Sequence, residues 1–121
     1  MPKLLVIEDE TDILKVMYKV LKKDGFDVVV AVDGYQGVDF AHREKPDLIV
    51  LDLMLPAGGG LTVLQHLKTS TKTMNIPVVV LTGMQDEVYK KKVLDKGVEA
   101  YLEKPYDSKV LIKTIHDVLE K

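Results

Sequence analysis

Five short apolar runs are spread along the chain, each followed by a more polar stretch. In order they are KLLVIE, DVVVAV, LIVLD, VVVLT and the weaker AYLEK. Runs of four or five apolar residues are too short for helices, and their continuity is typical of strands buried on both faces of a parallel sheet. The pattern therefore predicts five strands.

Helical patterns fill the stretches after these runs. After the first run, apolar residues recur at spacings of three and four with lysines on the opposite side, and Gly25 ends the pattern. The apolar positions of this first helix are Ile13, Val16, Met17, Val20 and Leu21. Three later helices are marked by Leu61, Leu64 and Leu67, by residues 88–96, and by Val110, Leu111, Ile115, Val118 and Leu119.

The second helix is predicted from a capping pattern. Asp33 is placed to cap its N-terminus with Gln36 three residues later, and Pro46 ends it. Gly37 lies inside this helix, where glycine costs about 1 kcal/mol relative to alanine. We therefore expect Gly37 to mark close packing against the sheet.

Strict alternation of strands and helices predicts an α/β fold with parallel strands, right-handed crossovers and helices on both faces of the sheet. In such sheets, sites form outside the carboxyl ends of the strands. A chain of 121 residues fits a single domain, 1–121.

Composition narrows the classes of function. The 17 Lys and Arg residues and 19 Asp and Glu residues give a net charge of -2, so no global field attracts nucleic acid or an anionic membrane. The chain has no cysteine, no signal-peptide pattern and no apolar span near 18 residues. We expect a cytoplasmic protein without disulfide or thiolate chemistry.

The apolar runs end in polar residues that should meet at one edge of the sheet. Glu8 and Asp9 follow the first run, Asp52 ends the third, Thr82 ends the fourth and Lys104 follows the fifth. Three converging carboxylates would repel one another and raise at least one pKa, unless a cation offsets their charge. Oxygen ligands without cysteine or clustered histidine favour Mg²⁺, which is commonly completed by a phosphate.

Each of these side chains then has a chemical task. Asp52 offers a carboxylate nucleophile, while the Lys104 ammonium and the Thr82 hydroxyl are suited to bind phosphoryl oxygens. Taken singly, the acids have a plainer interpretation as helix caps or turn residues, Thr82 as a turn hydroxyl and Lys104 as a solvated charge. Their joint occurrence after four strands favours a site. Since Asp52 ends its strand, it need not be buried.

In these residues and their order, the chain resembles the receiver domain of bacterial two-component response regulators over essentially its whole length. The matching motifs are VIEDE near the start, DLMLP with Gly60 after it, LTG at 81–83 and YLEKP at 101–105. The resemblance implies a flavodoxin-like, doubly wound (βα)5 sandwich, with a parallel sheet of strand order 2-1-3-4-5 and five helices. It also implies a phosphorylation-controlled switch and not an enzyme with a turnover substrate.

The resemblance implies a phosphoacceptor and a metal site. Asp52 is the expected phosphoacceptor. Asp9 and Asp52 are expected to bind Mg²⁺ directly, together with the backbone carbonyl of Met54. Glu8 is expected to act on the ion through water.

The resemblance also implies which groups respond to the phosphoryl group. Thr82 is the expected switch hydroxyl, and Tyr101 the aromatic side chain that turns inward once Thr82 moves. Lys104 is expected to form an ion pair with the phosphate, and Pro105 to follow a cis peptide bond.

The implied phosphoryl donor is a sensor histidine kinase or a phosphotransfer protein, and small acyl phosphates are expected to substitute. The fourth helix, fifth strand and fifth helix form the expected surface for an output domain or a downstream protein. The domain is expected to be a monomer or a phosphorylation-dependent homodimer, with no direct nucleic acid binding and no membrane contact.

Some residues depart from the family's common pattern. Glu8 replaces the commoner aspartate, and Gly58 and Gly59 stand where methionine and aspartate are frequent. Gly83 replaces a frequent alanine and is expected to widen the space into which Thr82 moves.

Two methionines occupy positions that tune self-dephosphorylation in the family. Met54 and Met84 lie two residues beyond Asp52 and Thr82, and neither side chain orients an attacking water by a strong hydrogen bond. We therefore predict a long-lived phosphoryl group.

Two rival functions remain open on this sequence. A Mg²⁺-dependent phosphatase that forms an aspartyl phosphate would need a second acid two residues after the nucleophile, where this chain has Met54. A flavin or nucleotide binder on the same fold would need a glycine-rich phosphate loop after the first strand, where this chain has EDETD.

Overall fold

The computed structural model describes residues 1–55 and 59–121, in which five strands alternate with five helices, as predicted. The strands are β1 (Lys3–Ile7), β2 (Asp27–Ala31), β3 (Leu48–Asp52), β4 (Val78–Thr82) and β5 (Ala100–Glu103). The helices are α1 (Thr11–Lys23), α2 (Gly34–Glu44), α3 (Gly59–Thr69), α4 (Glu87–Leu94) and α5 (Ser108–Leu119). The predicted departure at Gly58 lies outside the described residues.

All five strands are parallel and form one sheet in the order β2-β1-β3-β4-β5. This confirms the doubly wound, flavodoxin-like architecture that the resemblance implies. All five residues of β3 are buried, because strands flank it on both sides and helices cover both faces. The strand that ends in Asp52 is therefore the centre of the molecule.

Alternate strand residues enter two separate apolar cores. On one face of the sheet, Val50 belongs to the same core as Leu14 of α1 and Ile115 of α5. On the other face, Leu51 belongs to a core with Leu64 of α3, to which α2 and α4 also contribute. This follows from the two-residue period of a strand, which sends successive side chains to opposite faces.

The buried stripe of α1 is narrower than predicted. Leu14, Met17 and Leu21 are buried, whereas Val16 is 58% exposed and Val20 is only half-buried. Only one line of residues, three or four positions apart, faces the sheet, and apolar residues beside that line lie at the protein surface. The prediction was therefore correct in period, but it included the exposed Val16 and missed the buried Leu14.

Helix α2 begins as predicted. The N–H of Gln36 donates to Asp33 Oδ1 at 2.7 Å, and Gln36 Oε1 accepts from the N–H of Val32 at 2.9 Å, one residue earlier than in a regular capping box. A Cβ atom at Gly37 would lie 2.6 Å from Cδ1 of Ile7. The expected close packing of this glycine against the sheet is confirmed.

Helix α4 is shifted relative to the predicted span of residues 88–96 and ends earlier. Asp86 caps it, with Oδ1 accepting from the N–H of Val88 at 2.9 Å. Val88, in the first turn of the helix, is 75% exposed and does not anchor it in the core. Across the described ranges, 1–55 and 59–121, no helix has the length and apolar character needed to cross a membrane.

Candidate functional site

The predicted polar residues do meet where the strands end. Main-chain hydrogen bonds continue the ladders past the strands: Leu53 N–H donates to Leu81 O at 2.9 Å, and Lys104 N–H donates to Thr82 O at 2.8 Å. Backbone pairing thus fixes the positions of the residues where β3, β4 and β5 end. We call the resulting group of side chains the carboxyl edge; its members are Glu8, Asp9, Asp52, Thr82 and Lys104.

Three carboxylates converge at the carboxyl edge, as predicted. Glu8, Asp9 and Asp52 each offer an oxygen, and these oxygens all lie within 4.8 Å of one another. Asp9 is half-buried, whereas the exposed fractions of Glu8 and Asp52 are only 1% and 3%. The expectation that Asp52 need not be buried was wrong, and the Lys104 ammonium and the Met54 amide lie against its two carboxylate oxygens.

Asp52 is tolerated in this buried position because both of its carboxylate oxygens have partners. Oδ2 accepts from the Lys104 ammonium at 2.8 Å, and Oδ1 accepts from the N–H of Met54 at 2.8 Å. Burial opposes the charged form of Lys104, but the hydrogen bond to Asp52 and the nearby negative charges prevail and raise the pKa of Lys104. The carboxylate is therefore held in one orientation.

Glu8 is the poorly satisfied member of the group. Its Oε2 accepts from the N–H of Glu10 at 3.2 Å, but within residues 1–55 and 59–121 its Oε1 accepts no hydrogen bond and lies 4.0 Å from Lys104 Nζ. Burial, and secondly the adjacent Asp52, raise the pKa of Glu8 to about 7. One raised pKa was predicted, but from charge repulsion; burial is the larger cause.

Thr82 is fully buried at the end of β4, with its hydroxyl oxygen accepting from the N–H of Met84 at 3.0 Å. Between them, a Cβ atom at Gly83 would meet no atom within 4 Å. An alanine would therefore fit at position 83 in this conformation, and the expected widening of the space around Thr82 finds no support.

Tyr101 lies in β5 with a half-buried side chain whose hydroxyl is buried. That hydroxyl has no hydrogen-bond partner in the part of the chain that the structure describes, and burial raises the pKa of Tyr101. The Lys90 ammonium lies 5.4 Å from the centre of the ring. The ring hydroxyl is thus already inward in this structure, while its movement with Thr82 stays a prediction.

Two backbone amides complete the carboxyl edge, and the sequence analysis did not find them. They belong to Met54 and Met84, each two residues after the polar side chain that accepts from it. In Asx and ST turns, the side-chain oxygen of an Asp or Thr accepts from the backbone N–H two residues later. An Asp or Thr directly after a strand is the signal that would have identified these amides. The predicted Met54 carbonyl ligand stays a prediction, and the Lys104–Pro105 bond is cis, as expected.

Known proteins share this arrangement of elements. A family model described as the response regulator receiver domain matches residues 4–116. The phosphate regulon transcriptional regulatory protein PhoB of Escherichia coli is 38% identical over 119 residues, which are 98% of this chain and 52% of PhoB. The DNA-binding dual master transcriptional regulator RpaA of Synechocystis is 38% identical over 121 residues, which are 100% of this chain and 50% of RpaA. The chain thus spans about half the length of these curated relatives.

Solved structures agree over the full length of the fold. A response regulator receiver domain protein from Clostridium thermocellum has a TM-score of 0.91 at 27% identity, covering 99% of this chain and 95% of that chain. The receiver domain of a Francisella response regulator has a TM-score of 0.90 at 28% identity, covering 99% of this chain and 98% of that chain. With the sheet order, the residues at the carboxyl edge and the family match all in agreement, the chain belongs to the response regulator receiver domains of two-component systems.

Proposed function

We propose that this domain accepts a phosphoryl group on Asp52, with Mg²⁺ bound at the carboxyl edge, and that phosphorylation switches the surface formed by α4, β5 and α5. The observation that carries the proposal is Oε1 of Glu8, a buried carboxylate oxygen that accepts no hydrogen bond among the described residues. Buried polar atoms are nearly always paired. A buried acceptor without a hydrogen bond, beside two further carboxylates, supports a site for a cation.

The donor set fits Mg²⁺. Hard carboxylate and carbonyl oxygens, and a half-buried Asp9 that leaves room for water, match an ion that keeps several waters in its shell. Asp9, Asp52 and the Met54 carbonyl would hold the ion directly, and Glu8 through water. When bound, Mg²⁺ supplies positive charge that offsets the carboxylates and the incoming phosphoryl oxygens.

Asp52 acts as the nucleophile. Lys104 and the Met54 amide hold its two oxygens, so the carboxylate is oriented before a donor arrives. A bond forms between an Asp52 oxygen and phosphorus while the bond from phosphorus to the donor's imidazole nitrogen breaks. The imidazole carries a proton on its other ring nitrogen and therefore leaves as neutral histidine. With an acyl phosphate as donor, the leaving group is a carboxylate.

Lys104 and Thr82 bind the transferred group. Once Asp52 is an acyl phosphate its own charge has gone, and the Lys104 ammonium is free to pair with phosphoryl oxygens instead. The Thr82 hydroxyl donates to another of these oxygens. When Thr82 moves, Tyr101 changes its position in response. Its buried hydroxyl loses no hydrogen bond by moving, because it has no hydrogen-bond partner among the described residues.

We also propose the setting in which this chemistry operates. The donor is a sensor histidine kinase or a phosphotransfer protein in the cytoplasm, and the α4, β5 and α5 surface controls an output domain or a downstream protein, or pairs two copies of the domain. Beyond its own phosphorylation and dephosphorylation the domain turns over no substrate, because Met54 stands where a phosphatase needs its second acid.

Intact mass spectrometry tests the phosphoacceptor. With acetyl phosphate and Mg²⁺, wild type should gain one phosphoryl mass and Asp52→Asn none. Asp24→Asn, a carboxylate at the far end of the molecule, should be labelled like wild type and serves as the matched control. An unlabelled wild type, or equal labelling of Asp52→Asn, would contradict the proposal.

The lifetime of the phosphoryl group tests the role given to Met54. Its thioether side chain is 49% exposed and offers no strong hydrogen bond to an attacking water. We expect slow decay of labelled wild type with Mg²⁺ present and faster decay of Met54→Asn, whose amide would orient a water. Decay of wild type within seconds would rule this out.

A further inference from the structure

Two threonines are buried in this fold, and they use their hydroxyl groups in opposite ways. A hydroxyl has one proton to donate and two lone pairs to accept with. Thr73, 1% exposed, donates its proton to Leu67 O at 2.6 Å. Thr82, 0% exposed, accepts from the N–H of Met84 at 3.0 Å and donates to no group in residues 1–55 and 59–121.

The hydroxyl proton of Thr82 has no acceptor among the described residues, and this argues against a purely structural role for the Met84 amide. If the turn served stability alone, a buried hydroxyl would be expected to satisfy its proton as well, as Thr73 does. The amide instead occupies one lone pair and restricts where Oγ can lie. The proton is left available for an acceptor that arrives from outside the fold.

We propose that the backbone amide of Met84 is a positioning group for Thr82, an inference that rests on the proposed phosphorylation of Asp52. The amide holds the hydroxyl so that its proton is presented to a phosphoryl oxygen. It also makes the loop follow the hydroxyl, because any displacement of Thr82 Oγ draws Met84 with it. The loop leads directly to Asp86, the cap of α4.

Gly83 fits this role. Neither space nor a positive φ requires glycine at this position, since a Cβ atom there would touch nothing within 4 Å. Glycine therefore contributes freedom of the backbone between the hydroxyl and the amide. That freedom lets the Thr82–Met84 hydrogen bond survive a movement of the loop.

Amide hydrogen exchange of the full chain tests the hydrogen bond without phosphorylation. The Met84 N–H should be protected in wild type and in Thr82→Ser, which keeps the hydroxyl, and should lose about tenfold in protection in Thr82→Val. Thr73→Val is the matched control and should leave Met84 unchanged. Equal exchange of Met84 in wild type and Thr82→Val would overturn the inference.

A double-mutant cycle tests the positioning role. Replacing Met84 by its α-hydroxy acid analogue turns the amide into an ester and removes only the N–H. Labelling of Asp52 by acetyl phosphate and Mg²⁺ should slow by about fivefold, the effect of one neutral hydrogen bond. In the Thr82→Val background the same ester should have no further effect, because the amide then has no hydroxyl to position.

The outcomes separate this inference from the proposed function. If wild type is not labelled, the proposed function fails, and the inference fails with it. If wild type is labelled, either of two results overturns the inference alone. In the first, the ester slows labelling equally with and without the Thr82 hydroxyl; in the second, it leaves the rate of labelling unchanged in both backgrounds.

Discussion

The two ends of the sheet treat their polar groups differently. At the amino ends of the strands, Glu99 Oε1 accepts from the N–H of Val78 at 3.1 Å, and the Lys68 ammonium bonds Ile76 O at 3.1 Å and lies 3.6 Å from Glu99. At the carboxyl edge, Glu8 holds an oxygen that accepts nothing from the described residues. Polar groups at the amino ends thus pair with one another, whereas the carboxyl edge keeps a buried acceptor without a hydrogen bond.

Polar groups at the two ends of the sheet should therefore affect the free energy of unfolding differently. Lys3 at the amino end donates its N–H to Asp47 at 2.7 Å and pairs through its ammonium with Glu44 at 3.3 Å, all in partly exposed positions. Water can hydrogen-bond the donors and acceptors that these partly exposed groups leave without a protein partner. The carboxyl edge buries its carboxylates instead, where each unpaired atom is destabilising. Substitutions at the two ends should therefore differ in sign as well as in size.

The largest effect should come from Lys104→Met. Removing the ammonium leaves the buried Asp52 carboxylate without its cation, and breaking such a pair costs about 3 kcal/mol of unfolding free energy. Urea unfolding at pH 8 with a metal chelator measures it. Lys68→Met at the amino end should lose about 1 kcal/mol, and adding Asp52→Asn should recover most of the Lys104→Met loss. Equal losses at the two lysines would contradict the contrast between the ends.

Glu8→Gln should stabilise the metal-free protein. Because burial raises the pKa of Glu8 from 4.5 to about 7, folding favours the protonated acid. Its contribution to stability is fully present below pH 4.5 and is lost as pH rises through 7. Glutamine escapes that loss, so the variant should unfold with about 2 kcal/mol more free energy at pH 8 and nearly the same free energy as wild type at pH 4.

Urea unfolding of Glu8→Gln across this pH range, with Glu99→Gln as the control from the amino end, decides the point. Glu99→Gln should show no such trend. Adding Mg²⁺ should stabilise wild type more than Glu8→Gln, since it offsets the buried charge. A Glu8→Gln gain that is independent of pH would mean that packing, and not the titration of the carboxyl group, causes it.

The two buried threonines should respond unequally to valine. Thr73→Val removes the hydrogen bond to Leu67 O and leaves that carbonyl unpaired, so we expect a loss of about 1 kcal/mol of unfolding free energy. Thr82→Val removes an acceptor but also a buried proton without a partner, and the net change should be below about 0.5 kcal/mol. Chemical denaturation of both variants gives the comparison, and a larger loss at Thr82 would reverse it.

Lys3→Met should have the smallest effect. Its ion pair with Glu44 joins side chains that are 32% and 37% exposed, and such pairs contribute about 0.5 kcal/mol or less. The melting temperature should shift by a few degrees at most. A loss comparable with that of Lys104→Met would show that charge pairs at the amino end are as important for stability as those at the carboxyl edge.

The sequence was most informative where a physical rule ties it to the backbone. Continuous apolar runs predicted the strands, and the polar residue after each run predicted the edge, because parallel strands all end on the same side. Burial beyond the strand ends was not predictable in this way. It depends on tertiary contacts such as the one between Asp52 and Lys104, which are 52 residues apart in the sequence, and this is why the exposure of Asp52 was predicted wrongly.

Backbone groups were the other source of error. The sequence letters at 54 and 84 describe methionine side chains. Apart from the Met54 carbonyl that the family resemblance implies, the expectations for both positions rested on those side chains. The structure uses their amides, which every residue except proline carries. A site built partly from main-chain donors is invisible to reasoning from residue types unless the turn spacing is considered as well.

The hydrogen bond from the amide of Lys104 to the carbonyl of Thr82 sets a distance by backbone repeat alone. Neighbouring strands lie about 4.8 Å apart in every sheet, so the ladder holds the backbones that carry the hydroxyl and the ammonium at a fixed separation. Substitutions in the helices or at the surface that leave this ladder intact should therefore leave the separation of the two backbones unchanged.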